Sequence, residues 1–140
     1  MKPVKEKDPL QGKAQGKRWF AQAKRQLTFL DYFLSQNASD FVCFFCQQSV
    51  EMGLKAIITL KKGRSPRIHS IQQMVKIAAE DYPEIIGSLD CLNDLDPYYI
   101  AARYFEGFPD GLPLDHLTQK DAEKAAEIAR NFISVISKYF

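Results

Sequence analysis

Between positions 42 and 60, Val42, Cys43, Cys46, Val50, Gly53, Leu54, Ile57 and Leu60 fall within an arc of about 120° when each residue advances by about 100°. That spacing suits no strand, so a helix of about five turns must sit in any core this chain builds. Ser39 or Asp40 offers its N-cap, and the basic pair Lys61 and Lys62 followed by Gly63 suits its C-terminus. Gly53 lies inside the apolar arc. A glycine costs a helix roughly 1 kcal/mol against alanine, so close approach of a neighbouring helix is the expected reason for it.

A polar ridge interrupts this helix. Phe44, Gln48, Glu51 and Lys55, spaced by four, three and four, share a second face near 180° to about 240°, flanked by Met52 and Ile58. Apolar area combined with hydrogen-bonding groups suits a partner surface or a ligand groove. Phe44, Gln48, Glu51, Met52 and Lys55 are therefore the expected partner interface. In a two-fold dimer, Glu51 of one chain would meet Lys55 of the other. The alternative is a solvent-facing Glu51–Lys55 pair worth about 0.2–0.5 kcal/mol, with Phe44 incidentally exposed.

The remaining segments are also helical in period. Trp19, Phe20, Ala23, Leu27, Leu30, Phe33 and Leu34 define an amphipathic helix ending near Asn37. After the Gly, Ser and Pro of residues 63–66, Ile71, Met74, Val75 and Ala78 mark a third helix. Residues 84–95 hold one or two further turns. Asp96 and Pro97 are placed to cap and open a short helix, and Thr118 with Asp121 forms a capping box for a long last one. No alternation of period two is sustained. The expected fold is all-α: an antiparallel four- to five-helix up-and-down bundle.

With 140 residues, 46% hydrophobic and 26% charged, one soluble-type domain is expected. Residues 1–18 hold six Lys or Arg against two acids, leaving the remainder at −2 of a net +2. Residues 1–16 therefore read as a basic, flexible leader and 17–140 as the domain. Neither a signal peptide nor a bilayer-length apolar run is recognised, so a cytoplasmic setting without membrane contact is expected. Cys43, Cys46 and Cys91 are an odd set suited to free thiols, and the Cys43–Cys46 pair lies in the apolar arc, which assigns it to the core rather than to a metal. No phosphate-cradling glycine loop is present. Tyr99 and Arg103, four apart, can stack ring on guanidinium while the guanidinium grips a phosphate. Arg103 paired with an acid such as Glu51 is the structural alternative.

The succession "FVCFFCQQSVEMGLKAIITLKKG", "RIHSIQQMV", "LDPYYIAARYFEG" and a long amphipathic last helix resembles the HEPN domain family over nearly everything after the leader. The resemblance implies a helical bundle that is commonly dimeric, that binds nucleotides, and that works beside a minimal nucleotidyltransferase in toxin–antitoxin or defence settings. Some members are metal-independent ribonucleases using an Arg, about four to six variable residues, and a His near the start of the last long helix. Here the next His after Arg103 is His116, too far along; Arg64 and His69 have the spacing but sit in a loop, and are read as a coincidence. The resemblance thus implies a non-catalytic nucleotide-binding or accessory subunit without cofactor or metal. Arg103, Tyr99, Lys55 and His69 would meet the nucleotide's phosphate, and nucleic acid is left open as a ligand. An RNA-cleaving toxin and a purely structural dimerisation module are the alternatives.

Overall fold

The computed structural model describes residues 9–140 and contains no strand among them. Its helices are α1 (Pro9–Gln26), α2 (Leu30–Ser35), α3 (Ser39–Lys62), α4 (Ile71–Asp81), α5 (Pro83–Gly87), α6 (Tyr98–Ala101), α7 (Pro113–His116) and α8 (Gln119–Ile136). Short 3-10 turns at Asp90–Leu95, Phe105–Gly107 and Ser137–Tyr139 complete the chain. The all-α bundle expected from the periodicity is the fold: the long helices are α1, α3, α4 and α8, and the short ones fill the connections.

Helix α3 is the axis on which α1, α4 and α8 pack. Its apolar arc is buried as expected, apart from a partly exposed Leu60. A Cβ built on Gly53 would lie 2.7 Å from Phe132 of α8, which explains that glycine: α8 crosses there too closely for any side chain. By length and composition α3 would also suffice to cross a membrane, but most of it is enclosed by its neighbours, as in a core helix.

Two boundaries differ from expectation. Residues 9–16 are not leader but the first half of α1, because Gly12 and Gly16 let α1 lie directly on the end of α3. Their would-be Cβ atoms sit 3.2 Å from the Thr59 and Ala56 carbonyl oxygens, respectively. Further along, Ser49 Oγ donates to the Ala23 carbonyl at 2.8 Å, so α1 runs antiparallel to α3. The rest of the expected leader, residues 1–8, lies outside the described residues. The single helix expected up to Asn37 breaks after Gln26 and resumes as α2, which is followed by Asn37 with φ 54°. The bend carries α2 across to α8, where Asp31 accepts from Arg130 at 2.7 Å and the Leu34 carbonyl accepts from Gln119 at 3.3 Å.

The helix caps are partly as read. Thr118 and Asp121 form the reciprocal box at the start of α8, whereas α3 begins after Ala38 with no side-chain cap. Asp96 does not cap its own helix. Its carboxylate accepts from the Ile71 amide at 2.8 Å, the Gln72 amide at 3.4 Å and the Ser70 hydroxyl at 3.2 Å. A carboxylate at the positive end of the eleven-residue α4 satisfies amides that would otherwise be orphaned. The bond also ties the Tyr99–Arg103 segment to the loop bearing His69.

Candidate functional site

On the polar ridge of α3, Glu51 and Lys55 are buried rather than solvated, while Phe44 and Gln48 are half-buried. The Glu51 and Lys55 side chains are 5% and 7% exposed, and Glu51 is satisfied within its own chain. It accepts from Lys55 Nζ at 3.2 Å and from Gln47 Nε2 at 3.3 Å, while His69 Nδ1 lies 3.3 Å from both of its oxygens. Gln48 Nε2 donates to Gln47 Oε1 at 2.6 Å, and the Lys55 ammonium stands 5.3 Å from the centre of the Trp19 ring. An inter-chain Glu51–Lys55 bridge and a phosphate on Lys55 are both displaced by this network, since each charge already has its partner inside. Gln47, which shares a face with Glu51 one turn on, was the signal that the ridge closes on itself.

Above the network the side chains reach the surface in a row. The 57% exposed His69 ring stacks on Tyr99 at 4.8 Å and 14°. The Arg103 guanidinium lies 4.7 Å from the Tyr99 ring and 4.6 Å from the Phe44 ring. Arg103 Nε is buried without a hydrogen-bond partner, and no carboxylate pairs with this arginine among the described residues. A guanidinium held flat by two rings, lacking an anion and partly dehydrated, is preorganised for a phosphate or carboxylate. Beside it opens a groove of about 470 Å³ walled by Phe33, Phe41, Phe44, Phe45 and Tyr104. Of these wall residues, only Phe44 belongs to the interface expected from the sequence. On the other side, His69 and Tyr99 border a hollow of about 460 Å³.

Other groups fall away from this site. Tyr98 turns inward, where burial raises its hydroxyl's pKa and its partner is Cys43. Cys43 and Cys46 are fully enclosed; burial pushes the Cys43 thiol up to about 12 and raises Cys46 as well, which keeps both protonated at neutral pH. His116 bonds the Asp110 carbonyl at 2.6 Å and stacks on Phe108 at 4.4 Å. Arg64 and His69, which share the family's spacing in sequence, line different hollows.

Fold and site define an all-helical bundle domain whose central helix carries a buried polar network beneath an arginine–aromatic surface stack. The HEPN domain family model matches residues 17–139, and this chain belongs to that family. Among solved structures it is similar to TT1696 from Thermus thermophilus, at 27% identity and a TM-score of 0.69 over 90% of this chain and 98% of that one. It is also similar to ST0689, described as an archaeal HEPN homologue, at 25% identity and a TM-score of 0.68 over 89% and 96%. A search of curated proteins gives no match.

Proposed function

We propose that this HEPN domain is a nucleotide-binding accessory subunit: a phosphate is held by Arg103 while the base lies in the adjoining aromatic groove. The observation that carries the reading is the stacked Arg103 guanidinium with its unpartnered Nε. Tyr99 and His69 hold the guanidinium from one side, and Glu51 orients His69 from within. As the family resemblance implies, the domain acts with a nucleotidyltransferase partner, in a toxin–antitoxin or defence setting. RNA cleavage is the weaker reading, since Arg64 and His69 lie in the loop before the third long helix and line separate hollows. The test is calorimetric titration with nucleoside mono- and triphosphates. Losing a charge-assisted hydrogen bond costs about 1.5–3 kcal/mol, so Arg103→Ala should weaken binding by roughly 10- to 100-fold. Arg103→Lys should fall between, because it keeps the charge and loses the planar fork. Unchanged affinity in both variants, with circular dichroism preserved, would place any nucleotide elsewhere.

A homodimer is favoured by a separate observation. Phe41, Ile100, Tyr104 and Phe105 each expose half or more of their surface, close to the Arg103 groove in the fold. Clustered aromatics at the surface are characteristic of an interface core. The expected contact thus shifts from the Glu51 ridge to the rim formed by Phe41 and Tyr104. Sedimentation equilibrium should show a dimer that Phe41→Glu converts to a folded monomer. A wild-type protein that stays monomeric at high concentration removes this reading.

A further inference from the structure

Helix α1 carries Lys13, Lys17, Arg18, Lys24 and Arg25 and no acid. None of the five is in an ion pair among the described residues. Arg64 and Arg67, on the loop after α3, are likewise exposed and unpaired, whereas neighbouring Lys62 is engaged by Glu80 and Asp81. Between α1 and this loop lies a cleft of about 820 Å³, larger than the groove beside Arg103 or the hollow beside Tyr99 and sharing no lining residue with them. Gln11, Gln15 and Trp19, spaced by four along α1, form one wall, and Arg64 and Arg67 belong to the other, with Ile77 adding apolar surface.

We propose that this cleft binds single-stranded nucleic acid. An aromatic wall, apolar surface, two side-chain amides and a guanidinium rim supply what an unstacked nucleotide presents: a π-face, a base edge and a phosphate. Stacking on Trp19 gives affinity that tolerates any base, and Arg64 and Arg67 track the backbone. Gly63 ends α3 here, and the negative end of that helix disfavours an anion on the cleft floor, which keeps phosphates at the arginine rim. Arg18 and Arg25, seven residues apart on one face of α1, continue the positive track. A duplex hides its base faces from Trp19, and a concave cleft is the wrong shape for a flat anionic membrane. Both therefore rank below a single strand.

Trp19 is the only tryptophan in the chain, so intrinsic fluorescence reads this cleft directly. Titration of the full-length protein with an oligouridylate of about ten nucleotides should quench the emission saturably, with affinity falling as salt rises. An Arg64→Ala/Arg67→Ala variant should bind at least about 10-fold more weakly and lose about 1.4 from the slope of log K against log salt, near 0.7 per phosphate contact. Trp19 lines this cleft and not the Arg103 groove, so the quenching reports occupancy of this site and not of the nucleotide site. The proposal is overturned by absence of quenching, by undiminished affinity in the correctly folded double-arginine variant, or by equal binding of duplex RNA, inorganic polyphosphate or phosphatidylglycerol vesicles.

Discussion

The Glu51→Ala protein is expected to lose about 3–5 kcal/mol of stability, because removing one member of a buried pair strands the other charge. Lys55, 7% exposed, would keep only the Trp19 ring for company, and Gln47 and His69 would each lose an acceptor. Urea denaturation should show the midpoint falling with little change in slope. The decisive comparison is Glu51→Ala/Lys55→Met. With both charges gone, the desolvation cost disappears with them, and much of the lost stability should return. A loss below about 1 kcal/mol for Glu51→Ala alone would mean that Lys55 finds water, and that the network is not sealed as described.

Phe132→Ala should cost a similar amount, about 3–5 kcal/mol, by opening a cavity where α8 crosses α3. Its ring fills the space that Gly53 leaves, so the two positions are coupled. Gly53→Ala alone sets a methyl 2.7 Å from that ring, and the overpacking, typically about 1–3 kcal/mol, outweighs the gain in helix propensity. In the Phe132→Ala background the same methyl enters vacated space and should be neutral or stabilising. A double-mutant cycle followed by thermal and urea unfolding measures this change of sign, and additive effects would show that the close approach does not limit packing at the crossing.

Sequence periodicity made the helices legible because the 3.6-residue repeat is a local property. It identified α3, α4 and α8, the Thr118–Asp121 box, the core position of Cys43 and Cys46, and the close approach at Gly53. It also set Tyr99 and Arg103 one turn apart, where they do stack.

What period cannot convey is whether a face, once defined, is covered. The ridge of Phe44, Gln48, Glu51 and Lys55 was correctly grouped, yet its fate depended on a loop that brings His69 back beside Glu51 and on Trp19 arriving from α1. Gly12 and Gly16 fall within the stretch expected as leader; only contact with α3 turns them into packing residues. Asp96 reads as the cap of its own helix until α4 is seen beside it, offering amides in greater need. The local sequence thus determined which residues share a surface, through backbone geometry alone. Tertiary structure decided which surfaces meet, because burial, charge pairing and amide satisfaction are settled between segments distant along the chain.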